Sequence, residues 1–248
     1  MAASNAVITL GPEINVGAGN GNQYQSDLRC NPLNPREMCI TAKNSNDETS
    51  TILFRSGDGG ASWIPVPLAA SGDPDVVYDL SDRAHWMFID KATSPSTLGY
   101  RRSLDGGATW EAKRTLTSVF VDHPHIACDF SSSSYRVSVY IAGRIGSGGL
   151  MAVRSRDGGA TFQSTTVSLS GYNVVTPELP PGIRVWSPTG TGNLQKGFVF
   201  APVALDDGTL LIPMITSQTM LADSNNAYAG SLKDVYCLRS TNGGVSFQ

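Results

Sequence analysis

The sequence predicts an all-β protein, a propeller of four-stranded antiparallel blades, and three observations lead there. One turn phrase occurs four times: RSGDGGASW (55–63), RSLDGGATW (102–110), RSRDGGATF (154–162) and, weakened, RSTNGGVSF (239–247). Its fourth-position residues Asp58, Asp105 and Asp157 stand 47 and 52 residues apart, about the length of one propeller blade. Asn242 follows 85 residues later, which leaves room for an insertion or for a blade without the phrase. Third, short apolar runs rich in β-branched and aromatic residues fall in one register around each phrase.

The units follow in order. Blade one spans roughly residues 18–69, with YQSDLRCNP as its innermost strand, then EMCITAK and STILFRS before the phrase and WIPVPL after it. Blade two, 70–117, reads DVVYDL, HWMFID, TLGYRRS and WEAKRTL; blade three, 118–170, reads PHIACDF, YRVSVYIAG, GLMAVRS and FQSTTVSL. Blade four, 198–248, offers GFVFAPVAL, TLLIPMIT and DVYCLRS, with one residue after its phrase. A run at 6–17 (AVITLGPEINVG) resembles a closing strand, and pairing the two ends is how propellers avoid an exposed edge. The four visible blades are therefore expected either to close on themselves or to belong to a six- or seven-bladed wheel with an open edge that invites self-association. In both cases residues 1–248 form one domain.

Each letter of the phrase has a physical task. Asp accepts bonds from its own turn's N–H groups, and the glycines tolerate positive φ, as a tight antiparallel connection demands. The Ser and Thr hydroxyls satisfy further backbone groups, and the closing Trp or Phe buries a large apolar area. The phrase S-x-D-x-G-x-[ST]-[WF] resembles the Asp-box, or BNR repeat, of the sialidase-like β-propellers. Residues 56–63, 103–110 and 155–162 match it fully, and Asn242 replaces the Asp in the fourth copy. The resemblance implies that Asp58, Asp105, Asp157 and Asn242 are structural, at the outer rim. It places the ligand site on the opposite face, in the central funnel where each innermost strand begins. Arg55, Arg102, Arg154 and Arg239, present in every unit, belong with the repeat.

Charge is mild, with 18 basic and 21 acidic residues and a net of −3; no basic cluster points to nucleic acid or an anionic membrane. No run is long and apolar enough to span a membrane, and the N-terminus shows no signal peptide, although the family resemblance favours a secreted protein. Four cysteines lack metal-site spacing. A Cys30–Cys39 disulfide between adjacent strands is sterically conceivable in an exported chain, while Cys128 and Cys237 read as buried thiols.

At the starts of the innermost strands a carboxylate recurs: Asp27, Asp73 and Asp122. Converging on a funnel, such acids donate protons, bind sugar hydroxyls or hold a cation such as calcium; otherwise they cap turns. No cofactor is called for. Of His123 and His125 at most one is expected to reach the funnel, with His123 the better candidate and His125 packing beside Ile126. His85, Asp82 and Arg83 read as an exposed turn. The inserted loop 171–197 interrupts the repeat, and long loops of this kind commonly serve as lids or binding loops. It carries Tyr172, Glu178, Arg184 and Trp186, which together with Arg29 suit a sugar, particularly an acidic one.

The activity motifs of sialidases fit less well. Gln25 stands where the family's first clamp arginine belongs, Phe200 and Ala201 where its glutamate precedes a proline, and TLLIPMITS lacks the next arginine. Three functions therefore stay open. The first is an exo-glycosidase acting on terminal sugars through Asp73, Asp122 and His123. The second is a non-catalytic glycan- or protein-binding propeller. The third is a polysaccharide lyase using His123 and a tyrosine.

Overall fold

The structure, a computed structural model, describes residues 13–17, 23–44, 50–145, 149–167, 196–217 and 233–248. These residues form β strands and turns only, arranged as four antiparallel sheets. The first holds β1 (Gln23–Cys30), β2 (Met38–Asn44), β3 (Thr51–Ser56) and β4 (Ile64–Val66), in that spatial order. The second repeats the plan with β5 (Asp75–Tyr78), β6 (Ala84–Asp90), β7 (Thr97–Ser103) and β8 (Arg114–Thr115). The third does so with β9 (Val121–Cys128), β10 (Val139–Ile145), β11 (Gly149–Ser155) and β12 (Gln163–Val167). In these three sheets the turn phrase joins the third strand to the fourth, as the repeat requires. None of the sheets closes on itself, and this order of strands is that of propeller blades.

The fourth sheet departs from the plan. β13 (Lys196–Val199) and β14 (Val203–Ala204) both pair with β15 (Leu210–Ser217), which pairs on its other side with β16 (Lys233–Ser240). The predicted single strand GFVFAPVAL is thus one inner strand broken at residues 200–202. Pro213 accounts for the break. Its carbonyl accepts the Phe200 N–H at 2.9 Å, but proline has no N–H to give back on that side, so the ladder opens there. After the last phrase, Gln248 exchanges both backbone hydrogen bonds with Arg239, at 2.8 and 3.0 Å.

Burial grades across each sheet. The central strands β6, β10 and β11 are buried almost throughout, whereas β4 and β12 are largely exposed. The central strands are covered on both faces because apolar clusters fill every seam between sheets. Leu53, Val76 and Trp86 belong to the seam of the first and second sheets, and Met87, Tyr100, Ile126 and Ile141 to that of the second and third. Leu150, Ile212 and Met214 fill the seam of the third and fourth. The closing aromatics of the turn phrases Trp110, Phe162 and Phe247 pack on the cluster shared with the preceding sheet. The phrase is therefore a latch between sheets as well as a corner within one.

The phrase's hydrogen bonds are those its letters imply. Asp58 Oδ1 accepts from Ser56 Oγ (2.8 Å) and Ser62 N (2.9 Å), and its Oδ2 accepts from Ser62 Oγ (2.6 Å). Ser56 Oγ in turn accepts the Gly60 N–H at 2.8 Å. Asp105 and Asp157 repeat the pattern, and Asn242 keeps it by donating from Nδ2 to Ser246 Oγ at 2.8 Å. These bonds hold the Asp58 and Asp157 carboxyls down at about 2, in Asp157 against the opposing effect of burial.

Two expectations about this scaffold change. Cys30 lies opposite Met38 and Cys39 opposite Arg29. Partners across a ladder share a face and successive residues alternate, so the two thiols face opposite sides and no disulfide joins them; all four cysteines are free. Cys39 instead sits 3.1 Å from Tyr78 Oη, and Cys237 is exposed where a buried thiol was expected. Nor is His85 on an exposed turn. It is fully buried on β6, with Nδ1 2.6 Å from Tyr100 Oη and Nε2 3.2 Å from Asp79 Oδ2. Arg83 donates to the same Asp79 oxygen at 2.6 Å, and Asp82 accepts from Asn31 Nδ2 across the first seam. The closing strand expected at 6–17 falls mostly outside the described residues, and residues 13–17 form no strand. Among the described residues no helix is long and apolar enough to cross a membrane.

Candidate functional site

The first strands of the sheets neighbour one another in sequence: β1 lies against β5, β5 against β9 and β9 against β13. Between them lies a cavity of about 490 Å³. Ser26, Asp27 and Arg29 of β1 line it, with Asp73, Pro74 and Asp75 at the head of β5, and His123, Pro124 and His125 of β9. Phe200 and Ala201, in the break between β13 and β14, complete it. Every sheet contributes, and no turn phrase does. The backbone is unusual here, since Gly72, Asp73 and His123 all have positive φ, at 51°, 37° and 47°. For residues with a Cβ that conformation costs about 1–3 kcal/mol and persists only where the surroundings enforce it.

Two groups of charges lie in and beside the cavity, Asp122 being next to it and not among its lining residues. In one, Arg29 Nη1 donates to Asp27 Oδ1, while its Nη2 lies 3.9 Å from Asp75 Oδ1. Asp75, only 5 % exposed, accepts the Ile126 N–H on Oδ2 at 3.1 Å, and that oxygen lies 3.5 Å from His125 Nδ1. Burial pushes the Asp27 carboxyl up to about 7, and a hydrogen bond and like-charge contact with Asp75 push the same way. Arg29 offsets part of this effect. A carboxylic acid that holds its proton near neutrality can donate it.

The other group is Asp73, Asp122 and His123, whose ligand-type atoms lie within 4.8 Å of one another. Two carboxylate oxygens and an imidazole nitrogen are a donor set for a divalent cation. Both carboxylates already face cations: Asp73 Oδ1 lies 3.4 Å from Lys43 Nζ, and Asp122 bonds Arg144. His123 Nδ1 is 3.9 Å from Asp73 Oδ2.

Asp27, Arg29, Asp73, Asp122 and His123, named from the sequence, are thus brought together. Sequence reasoning missed Asp75, Lys43 and Phe200. His125 was set aside in favour of His123, yet residues two apart on a strand share a face, and both imidazoles line the cavity. Asp75 opens β5 whereas Asp73 precedes the strand at a φ of 37°, so no strand period links the two in the run DPDVVYD. Phe200 is 42 % exposed and gives the cavity an aromatic wall. Tyr172, Glu178, Arg184 and Trp186 of the inserted loop lie outside the described residues.

No protein-family profile and no curated protein matches the chain. Among solved structures it is similar to a protein of unknown function from Dyadobacter fermentans, at 12% identity and a TM-score of 0.50, over 92% of this chain and 68% of that one. It is also similar to the GH74 enzyme of Niastella koreensis, at 16% identity and TM-score 0.44, over 89% of this chain. A mutant of the NanB sialidase from Streptococcus pneumoniae is similar at 12% identity and TM-score 0.44, over 77% of this chain. The chain spans 37% of the GH74 enzyme and 26% of the sialidase.

Proposed function

We propose that the chain is a carbohydrate-active propeller of the sialidase-like kind, and that its cavity hydrolyses the bond to a terminal sugar. The Asp-box phrases support the family reading, and the strand order of the four sheets supports the wheel. The observation that carries the function is the cavity itself. It combines a carboxyl that keeps its proton to about pH 7, further carboxylates in reach of a bound ligand, and an exposed aromatic wall.

In this reading Asp27 gives its proton to the glycosidic oxygen as that bond breaks. Water adds to the anomeric carbon, and its proton passes to Asp73 or Asp122, the paired-carboxylate scheme of glycoside hydrolysis. Asp27 then regains a proton from solvent as the base releases its own to solvent. Phe200 stacks on the apolar face of the sugar ring, as aromatic side chains do. Asp27 therefore moves from a binding to a donor role, while His123 holds Asp73 in place. Arg29 and Arg144 are already engaged by Asp27 and Asp122, which favours an uncharged sugar over an acidic one.

A panel of fluorogenic glycosides tests the proposal. Turnover of at least one member is expected, falling as pH rises through about 7 with loss of the Asp27 proton. Asp27→Asn is expected to lower kcat by about 10²–10⁴-fold, the usual worth of a general acid. The ion pairs on Asp73 and Asp122 favour a second reading, a glycan-binding module without turnover. Glycan-array binding that Phe200→Ala removes, with no hydrolysis of any glycoside, would select it.

A further inference from the structure

We propose that Asp27 and Asp75 share a single proton across the first two sheets, and that Asp75 is the positioning residue that keeps this proton on Asp27. Its use in catalysis rests on the hydrolase reading above; the shared proton itself does not.

Two orphaned atoms carry the inference. Asp27 Oδ2 and Asp75 Oδ1 are both buried and neither has a donor. Both residues line the same cavity from adjacent strands, and one guanidinium, that of Arg29, faces both carboxyls. That guanidinium holds the carboxyls side by side, bonding Asp27 Oδ1 through Nη1 and standing 3.9 Å from Asp75 Oδ1 through Nη2. Ionised carboxylate oxygens only accept, so two of them bond only through a proton. One proton satisfies both orphans at once, and like charges this close disfavour ionising both groups.

The surroundings decide which side carries it. Asp75 Oδ2 takes the Ile126 N–H and faces His125, two interactions that suit a negative charge. Asp27 has Arg29 on Oδ1 alone, and its Oδ2 is the atom left to hold the proton. The charged groups facing the pair are Arg29 on β1, His125 on β9 and, further along the cavity, Asp73 with Lys43 of β2 and His123. Fixed by a main-chain bond, Asp75 also ties the proton donor to the third sheet.

The test is a carboxyl titration of protein labelled with ¹³C at aspartate Cγ, followed by NMR across neutral pH. The wild type is expected to show one carboxyl titrating near 7, absent in Asp27→Asn. In Asp75→Asn the amide can donate to the Asp27 carboxylate, and the midpoint should fall by at least about one unit, a tenfold loss of proton affinity. Circular dichroism and a melting curve verify that each variant is folded. The proposal is overturned if no wild-type carboxyl titrates within about a unit of neutrality, or if a folded Asp75→Asn protein leaves the midpoint in place. Should Asp75→Asn not fold, the wild-type and Asp27→Asn titrations decide between these outcomes alone. A neutral-titrating pair in a protein that cleaves no glycoside would remove the hydrolase reading and keep the pair. Turnover without such a titration would do the reverse.

Discussion

Arg102 reaches from the second sheet to the third, where its Nη1 donates to the carbonyl oxygen of Gly158 at 3.1 Å. The same step joins Arg55 to Gly106 at 3.3 Å and Arg154 to Gly244 at 2.9 Å. In the first three turn phrases the opening arginine thus clasps the phrase of the next sheet. Arg102→Ala is expected to destabilise the fold by about 1.5–3 kcal/mol, the range for a hydrogen bond from a charged donor. Urea unfolding checks this. A midpoint unchanged within error would show that the clasp carries no weight.

The glycines of the phrase are held to different degrees. A Cβ at Gly159 would lie 2.0 Å from Tyr100 Oη and 3.0 Å from His85 Nδ1, at a φ of 77°. The equivalent Gly60 has φ 88° but meets nothing closer than 3.7 Å. Gly60→Ala should cost only its backbone strain, about 1–3 kcal/mol, whereas Gly159→Ala should cost clearly more, because the seam of the second and third sheets must open. Equal melting temperatures for the two variants would contradict the latch.

Asn242 offers a gain. In the other phrases an ionised carboxylate accepts the turn's N–H groups, and charged acceptors bond more strongly than neutral ones. Asn242→Asp should restore a carboxylate that accepts from Ser246 N and Ser246 Oγ, raising stability by a few tenths to about 1 kcal/mol. A thermal melt at pH 7 suffices, and a fall in melting temperature would speak against it.

The buried His85 predicts an acid sensitivity. Burial lowers its affinity for a proton, and the bond and charge of Asp79 offset this only in part. The unfolded chain binds that proton below about 6.5, the ordinary value, so the stabilisation is whole above 6.5 and is lost as pH falls toward the depressed folded value. Asp27 acts oppositely, since its raised carboxyl costs stability as pH rises from 3.8 through about 7. The measurement therefore belongs in Asp27→Asn, where the urea midpoint should fall between pH 6.5 and 5. A flat profile there would contradict the assignment.

The sequence made the scaffold legible because the repeat is local. Asp58, its glycines and Ser62 satisfy one another within a few residues, so the turn is written in one place and its period shows the sheets. What Trp110 and Phe162 pack against was not legible, because a seam is formed by residues of two units. The cavity was half legible. Asp27, Asp73 and Asp122 were found from the recurrence of a carboxylate near the inner strands' entrances, and His125 needed only the two-residue period of a strand. Asp75 was not legible, because the turn that brings it and Asp73 to one cavity, with Asp73 at a φ of 37°, lies outside any strand pattern. Phe200 was read only as a missing glutamate, since the break opposite Pro213 that exposes it depends on a long-range ladder.

Rim and hub are separated by assaying wild type, Asp58→Asn and Asp27→Asn side by side for glycoside turnover and glycan-array binding, with each fold verified by circular dichroism. Turnover should survive Asp58→Asn and collapse in Asp27→Asn. A folded Asp27→Asn protein with wild-type turnover, or activity lost only through Asp58, would contradict a site among the inner strands.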